Sequence, residues 1–93
     1  MAKTNYTYKY NGVIVRNSNN VYQYGLVNHN GAVIKCSGTE KGALAERTRT
    51  INFLTKQLNY YIKHKPEWVD GCKQDIANTE KWHVVELEVI KNF

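Results

Sequence analysis

Apolar residues change their spacing twice along this chain. Tyr6, Tyr8 and Tyr10 alternate with Thr7 and Lys9, the two-residue period of a strand with one ring-bearing face. Asn11-Gly12 follows, a strong turn signal. It either closes a short hairpin or marks a bulge in a longer strand running on through Val13, Ile14, Val15 and Arg16. The first limb is short, so one continuous, bulged strand is the reading adopted. Asn17 to Asn20 is a turn, because asparagine tolerates positive φ and bonds its own backbone. Val21 to Val27 is the next strand, with Tyr22, Tyr24 and Leu26 on one face and Val21, Gln23 and Gly25 on the other. Asn28-His29-Asn30-Gly31 turns again, and Ala32 to Cys36 is a short apolar strand. Three strands joined by tight turns make a meander, local and easy to close.

After Ser37-Gly38 the spacing becomes helical. Leu44, Ile51, Leu54, Leu58, Tyr61 and Ile62 fall on one face of a helix predicted from Thr39 to Lys65. Thr39 serves as N-cap and Glu40 stands at the positive end of the dipole. Gly42 is a mild weakness or a close packing point. Pro66 disfavours helical geometry at Lys65 and ends the helix. At 1.5 Å per residue it is about 40 Å long, more than the width of a small sheet, so its C-terminal turns project. Glu67 to Asn78 reads as a loop containing a short helix near Lys73 to Asn78. Alternation returns from Trp82 to Ile90, one strand with His83, Val85, Leu87 and Val89 toward the core. The expectation is a single α+β domain over residues 1–93: two layers, an antiparallel sheet of three to four strands, one long amphipathic helix, order β-β-β-α-β.

Charge narrows the partners. The net charge is +5 and the pI about 9.3, which favours nucleic acid, an acidic protein face or anionic lipid. The cations are scattered, so any basic patch is made by folding. Seven tyrosines suit half-buried surfaces, each with an apolar ring and a polar tip. The start of the chain, Met-Ala-Lys-Thr-Asn, has no apolar stretch after its charge, so no signal peptide is expected, nor is a membrane span. Cys36 and Cys72 form no C-x-x-C pair. Reduced thiols in a cytoplasmic protein are expected.

Catalytic and metal constellations are weak. His29, His64 and His83 share no ligand spacing. Glu86 and Glu88 share a strand face, where a solvated pair is the ordinary arrangement. Gly38 and Gly42 lack the phosphate-binding loop pattern. No strand-turn-helix elbow places a nucleophile. A protein without enzymatic activity, cofactor or metal is the expectation.

Two surfaces remain. Projected at 100° steps, Arg49, Lys56 and Lys63 fall in one line and Phe53 and Tyr60 in the next, away from the Leu44, Ile51 and Leu58 seam. Aromatic and arginine anchors supply most of the affinity of protein interfaces, so these five are the candidate partner-binding residues. Trp68 and Ile76 could instead fold back over the two rings. Arg47 points near the apolar seam, which places it at the sheet edge with a specific bonding partner. The second surface is the tyrosine-bearing sheet with its cations, the arrangement on which single-strand binders stack bases.

Two resemblances follow. Gly12-Val13, Arg16, Tyr22, Gly31 and Gly38-Thr39, leading into a helix with Ala43 and Ala45, resemble the three-strand-plus-helix DNA-binding domain of plant ethylene-response factors and phage integrase arms. The resemblance covers residues 12–45. It implies groove reading by Arg16, Tyr22, Tyr24 and Lys35, although this chain has fewer strand arginines, a longer helix and a further strand. In type rather than motif, a small asparagine-, lysine- and tyrosine-rich domain without a catalytic signature is similar to phage-encoded accessory proteins such as anti-CRISPR and other host-takeover inhibitors. That resemblance implies a protein that blocks a host protein or ribonucleoprotein complex by binding it.

Overall fold

A computed structural model describes residues 4–93. The expectation for residues 1–3, that the basic start carries no leader, lies outside the described residues. The elements are β1 (Tyr6–Tyr10), β2 (Val13–Ser18), β3 (Tyr24–Val27), β4 (Val33–Ser37), α1 (Glu40–His64), a 3-10 turn (Pro66–Trp68), α2 (Val69–Glu80), β5 (His83–Glu86) and β6 (Glu88–Lys91). The fold is α+β with one long helix of 25 residues, as the pattern predicts. The strands, however, form two antiparallel three-stranded sheets, ordered β2-β1-β6 and β4-β3-β5, and a second helix is present.

Several readings are corrected. Asn11-Gly12 is a hairpin turn, not part of a continuous strand: φ is 52° at Asn11 and 78° at Gly12, and Tyr10 pairs with Val13. The short first limb is viable because β1 is the central strand of its sheet, paired on both edges. A bulge does exist, one limb later, where Tyr8 pairs with Arg16 and Lys9 with Ile14, leaving Val15 as the extra residue.

The alternating run near the C-terminus is two strands divided at Leu87, not one. Successive residues of a strand aim their N–H groups at opposite edges. The Leu87 N–H bonds to Gln23 O at 2.7 Å on the β3 side, while the Asn92 N–H bonds to Asn5 O at 2.8 Å on the β1 side. The run therefore joins the sheets into one curled succession, β2-β1-β6/β5-β3-β4. Leu87 is buried with Tyr8 and Cys36 in the concave interior, flanked by Val85 and Val89. His83 is exposed, contrary to its predicted core placement, because the strand begins there beside the Lys81 carbonyl.

The segment read as a loop with a short helix at 73–78 is helical from Val69. Pro66 starts the preceding turn, where its fixed φ is suited. Packing outweighs the helical cost of Gly71: Cys72 is buried with its thiol on Leu54 O at 3.3 Å. Arg47 bonds Glu80 O at 3.1 Å, giving that residue its specific partner on α2 rather than at a sheet edge. The pairs 72 with 54 and 80 with 47 run in opposite senses, so α1 and α2 form an antiparallel arm.

α1 packs on β3 and β4, with Ala43 in its first turn fully buried, and on α2, which it meets from Arg47 onward. Thr39 caps it by accepting the Gly42 N–H at 3.0 Å. The predicted apolar face is only partly covered: Ile51, Leu54, Leu58 and Tyr61 are half-buried, whereas Leu44 and Ile62 are exposed. Two supports on different sides cannot bury one continuous stripe. The arm makes the molecule long, 56 × 25 × 22 Å with a radius of gyration of 16.7 Å. A compact chain of this length would have a radius of about 12 Å.

Candidate binding surfaces

The arm is built by local rules. Thr39 starts α1, and the Lys65 N–H closes it on Tyr61 O at 2.8 Å. Phe53 and Tyr60 are seven residues apart, two turns, and point the same way from α1, with α2 packed on the flank beside them at Gln57 and Tyr61. Phe53 is 59% exposed and Tyr60 55%. With Lys56, Gln57, Tyr61 and Trp68 they line one shallow groove. Trp68 does not cover them. It meets the Tyr61 ring edge-on at 5.4 Å, stays 52% exposed, and carries Lys65 Nζ 5.4 Å from its own ring centre. The Tyr60 ring lies 4.7 Å from that of His64 and 6.1 Å from that of Tyr61. Ile76 is half-buried on α2 and does not line the groove.

The structure thus gathers Phe53, Lys56 and Tyr60 from the predicted set. Arg49 is elsewhere, in a separate concavity with Lys41, Leu44 and Thr48, and pairs with Glu46 Oε2 at 3.1 Å. Lys63 is exposed but outside the groove lining. Sequence reasoning missed Gln57, Tyr61 and Trp68. Tyr61 carries the signature of the apolar seam, and Trp68 enters the sequence reading only as a cover for the two rings; it is the 3-10 turn after α1 that brings Trp68 to the groove.

The second surface lies where β2 and β4 face each other. Arg16, Tyr22 and Lys35 line it together with Val15, Val33 and Cys36. Arg16 opposes Tyr8 across the ladder, and the bulge at Val15 turns both residues toward the interior side. Its guanidinium sits 4.9 Å over the Tyr22 ring centre, a cation–π contact. Cys36 lies beside it. Burial pushes the Cys36 thiol pKa up from its ordinary value, and the positive Arg16 side chain opposes that shift. Tyr24 is not brought here. It pairs with Ser37 and Glu86 and is one residue from Gly25, whose partner Cys36 faces the interior, so Tyr24 is on the other face of the sheet.

Arg49–Glu46 is the only ion pair among the described residues, which leaves Arg16, Lys35, Lys56 and Lys63 without a carboxylate partner. Among the described residues no group of three His, Cys, Asp or Glu is placed to hold a metal ion, and no helix is long and apolar enough to cross a membrane. Compared with known proteins, the chain matches no family profile, no curated protein and no solved structure.

Proposed function

We propose that this chain is a small, non-enzymatic, cytoplasmic binding protein that acts by occlusion. It seats the outer face of its helical arm on an acidic surface of a host protein or ribonucleoprotein complex and blocks the use of that surface. The observation that carries this reading is the exposure of Phe53 and Tyr60 around one groove with Lys56. Two unburied rings on one helix face contribute nothing to the core, and desolvated aromatic anchors dominate protein interfaces. Lys56 and Lys65 flank them with positive charge. The origin in this reading is a phage or mobile element, and the mode of action is anti-CRISPR-like.

Direct nucleic-acid binding through the sheet is supported less. Of Tyr22 and Tyr24 only Tyr22 reaches the basic surface, and Arg16 already occupies one face of its ring. A base-stacking platform needs open ring faces.

The test is capture of a partner from a host lysate on the tagged protein, in parallel with the Phe53→Ala/Tyr60→Ala variant. A stable partner held by the native chain and lost by the variant supports the reading. A partner held equally by both places the interface elsewhere. Expression of the chain should also restore phage plaques on a host with an active CRISPR system. If plaques stay absent while a partner is captured, occlusion of that machine is wrong.

A further inference from the structure

The curled succession of strands does not close. Its ends are β2 and β4, each the edge of its sheet, and neither is laddered to the other. Yet the two edges face each other: Val15 and Arg16 of β2 share one concavity with Val33 to Ser37 of β4, and Val13 to Val15 share another with Gly31 to Val33. No backbone ladder joins them; the Arg16 side chain lines the same concavity as Cys36 and sits over the Tyr22 ring. Each strand is antiparallel to its neighbours, so β2 and β4 run in the same direction. A single extended segment running the opposite way continues the antiparallel pattern on both sides at once.

An open edge of this kind is ordinarily blunted by charge, proline or a covering element. The β2 edge carries a bulge at Val15 and one charge, Arg16, but its first residues are uncharged and uncovered: Val13 is 66% exposed and Ile14 58%. The chemistry of the occupant follows from the lining. Arg16 and Lys35 are the charged groups there, with no carboxylate lining either concavity. Val15, Val33 and Ile34 provide apolar surface between them. A second copy of the chain would bring another +5 charge onto these cations. A nucleic acid would match the charge, but it has no amide row for the strand edges and no apolar side chains to cover the valines.

We infer that the β2–β4 seam is a docking site for an extended acidic segment of a partner protein, bound by strand addition. Its backbone pairs with the free edges. On the inner face a carboxylate meets Arg16 while apolar side chains cover Val15 and Val33, and on the outer face a second carboxylate meets Lys35, which is one residue from the interior-facing Cys36. This site is separate from the arm groove and stands without it.

The probe is a short fluorescent peptide of Glu-Glu-Val-Val repeats, which carries both residue types on each face of a strand, titrated against the full chain by anisotropy, with amide shifts followed by NMR. Shifts should concentrate in residues 13–18 and 33–37. Arg16→Gln with Lys35→Gln should weaken binding by about tenfold or more. The same peptide methylated at alternate amides, which removes its hydrogen bonds to one of the two edges, should bind more weakly by about tenfold or more, and Phe53→Ala/Tyr60→Ala should leave affinity unchanged. A thermal melt of the Arg16→Gln/Lys35→Gln variant confirms that it is folded. If that variant is unfolded, the methylated peptide on the native chain decides. The inference is overturned by equal binding of a lysine–valine peptide, by shifts confined to residues 53–68, by undiminished binding of the methylated peptide, or by an oligothymidine strand that displaces the glutamate–valine peptide.

Discussion

Leu87 rests on Gly25: a β-carbon placed on Gly25 would stand 3.0 Å from Leu87 Cδ2 and 3.1 Å from Val33 Cγ1. Leu87 is the point at which one sheet passes into the other, so the missing side chain at Gly25 is what lets the strands curl closely enough to enclose Tyr8 and Cys36. Gly25→Ala should therefore destabilise the protein by about 1–3 kcal/mol, the ordinary penalty for overpacking an interior. Gly71→Ala is the control. It lies in α2 with nothing within 4 Å of the added carbon, and should stabilise by about 0.5–1 kcal/mol. Urea unfolding followed by circular dichroism reads both.

Tyr8 is fully buried, yet its hydroxyl is used twice. It donates to Asn20 O and accepts the Tyr22 N–H at 2.9 Å. That pins the segment between β2 and β3, and with it the ring over which Arg16 sits. Tyr8→Phe keeps the ring but strands a backbone donor and acceptor. It should cost about 1–3 kcal/mol, with the Tyr22 amide exchanging faster in hydrogen-exchange NMR. An unchanged melting temperature would mean that water replaces the hydroxyl.

These two contacts show where the sequence was readable and where it was not. The helix from Thr39 to Lys65 was legible because its signals are local: a cap, a period and a proline. The strands were legible as elements, since alternation survives a change of partner. Their assembly was not. Nothing in the alternation from Trp82 to Ile90 marks Leu87 as a division, because the division arises from Gln23 and Asn5 pulling on opposite edges. Gly71 hid α2 for the same reason: a local cost was outweighed by distant contacts from Cys72 and Glu80 to α1. At the candidate site, Phe53, Lys56 and Tyr60 followed from helical projection, whereas Trp68 reaches the groove through the 3-10 turn between the helices.

Cys36 carries a pH signature whose sign is fixed by burial. Its pKa is raised in the folded protein, mainly by desolvation. Folding therefore favours the protonated thiol. The stabilisation is fully present below the unfolded-state pKa near 9.0 and is lost as pH rises through the folded value. Compared with Cys36→Val, the native chain should lose unfolding free energy more steeply above that pH, and the two curves should run parallel below it. Curves parallel throughout the alkaline range would show that the thiol is ionised as easily folded as unfolded.

The arm separates binding from stability. Phe53 is more than half exposed, so Phe53→Ala should change stability by no more than about 0.5 kcal/mol, and Tyr60→Ala, which removes ring contacts with His64 and Tyr61, by about 1 kcal/mol. Each should nevertheless weaken capture of the partner strongly, by about tenfold or more. Trp68→Ala tests the part of the groove that helical projection did not supply. It removes the edge-on contact with Tyr61 at 5.4 Å, costing about 1 kcal/mol of stability, and should reduce binding as much as Tyr60→Ala does. Arg49→Ala is the contrast. Its side chain is tied to Glu46 in a separate concavity, and an exposed pair of this kind contributes about 0–1 kcal/mol. Binding unaffected by Arg49→Ala and lost with Trp68→Ala would place the interface on the groove around the second helix's entry. The reverse outcome would move it along α1 to the face that carries Leu44.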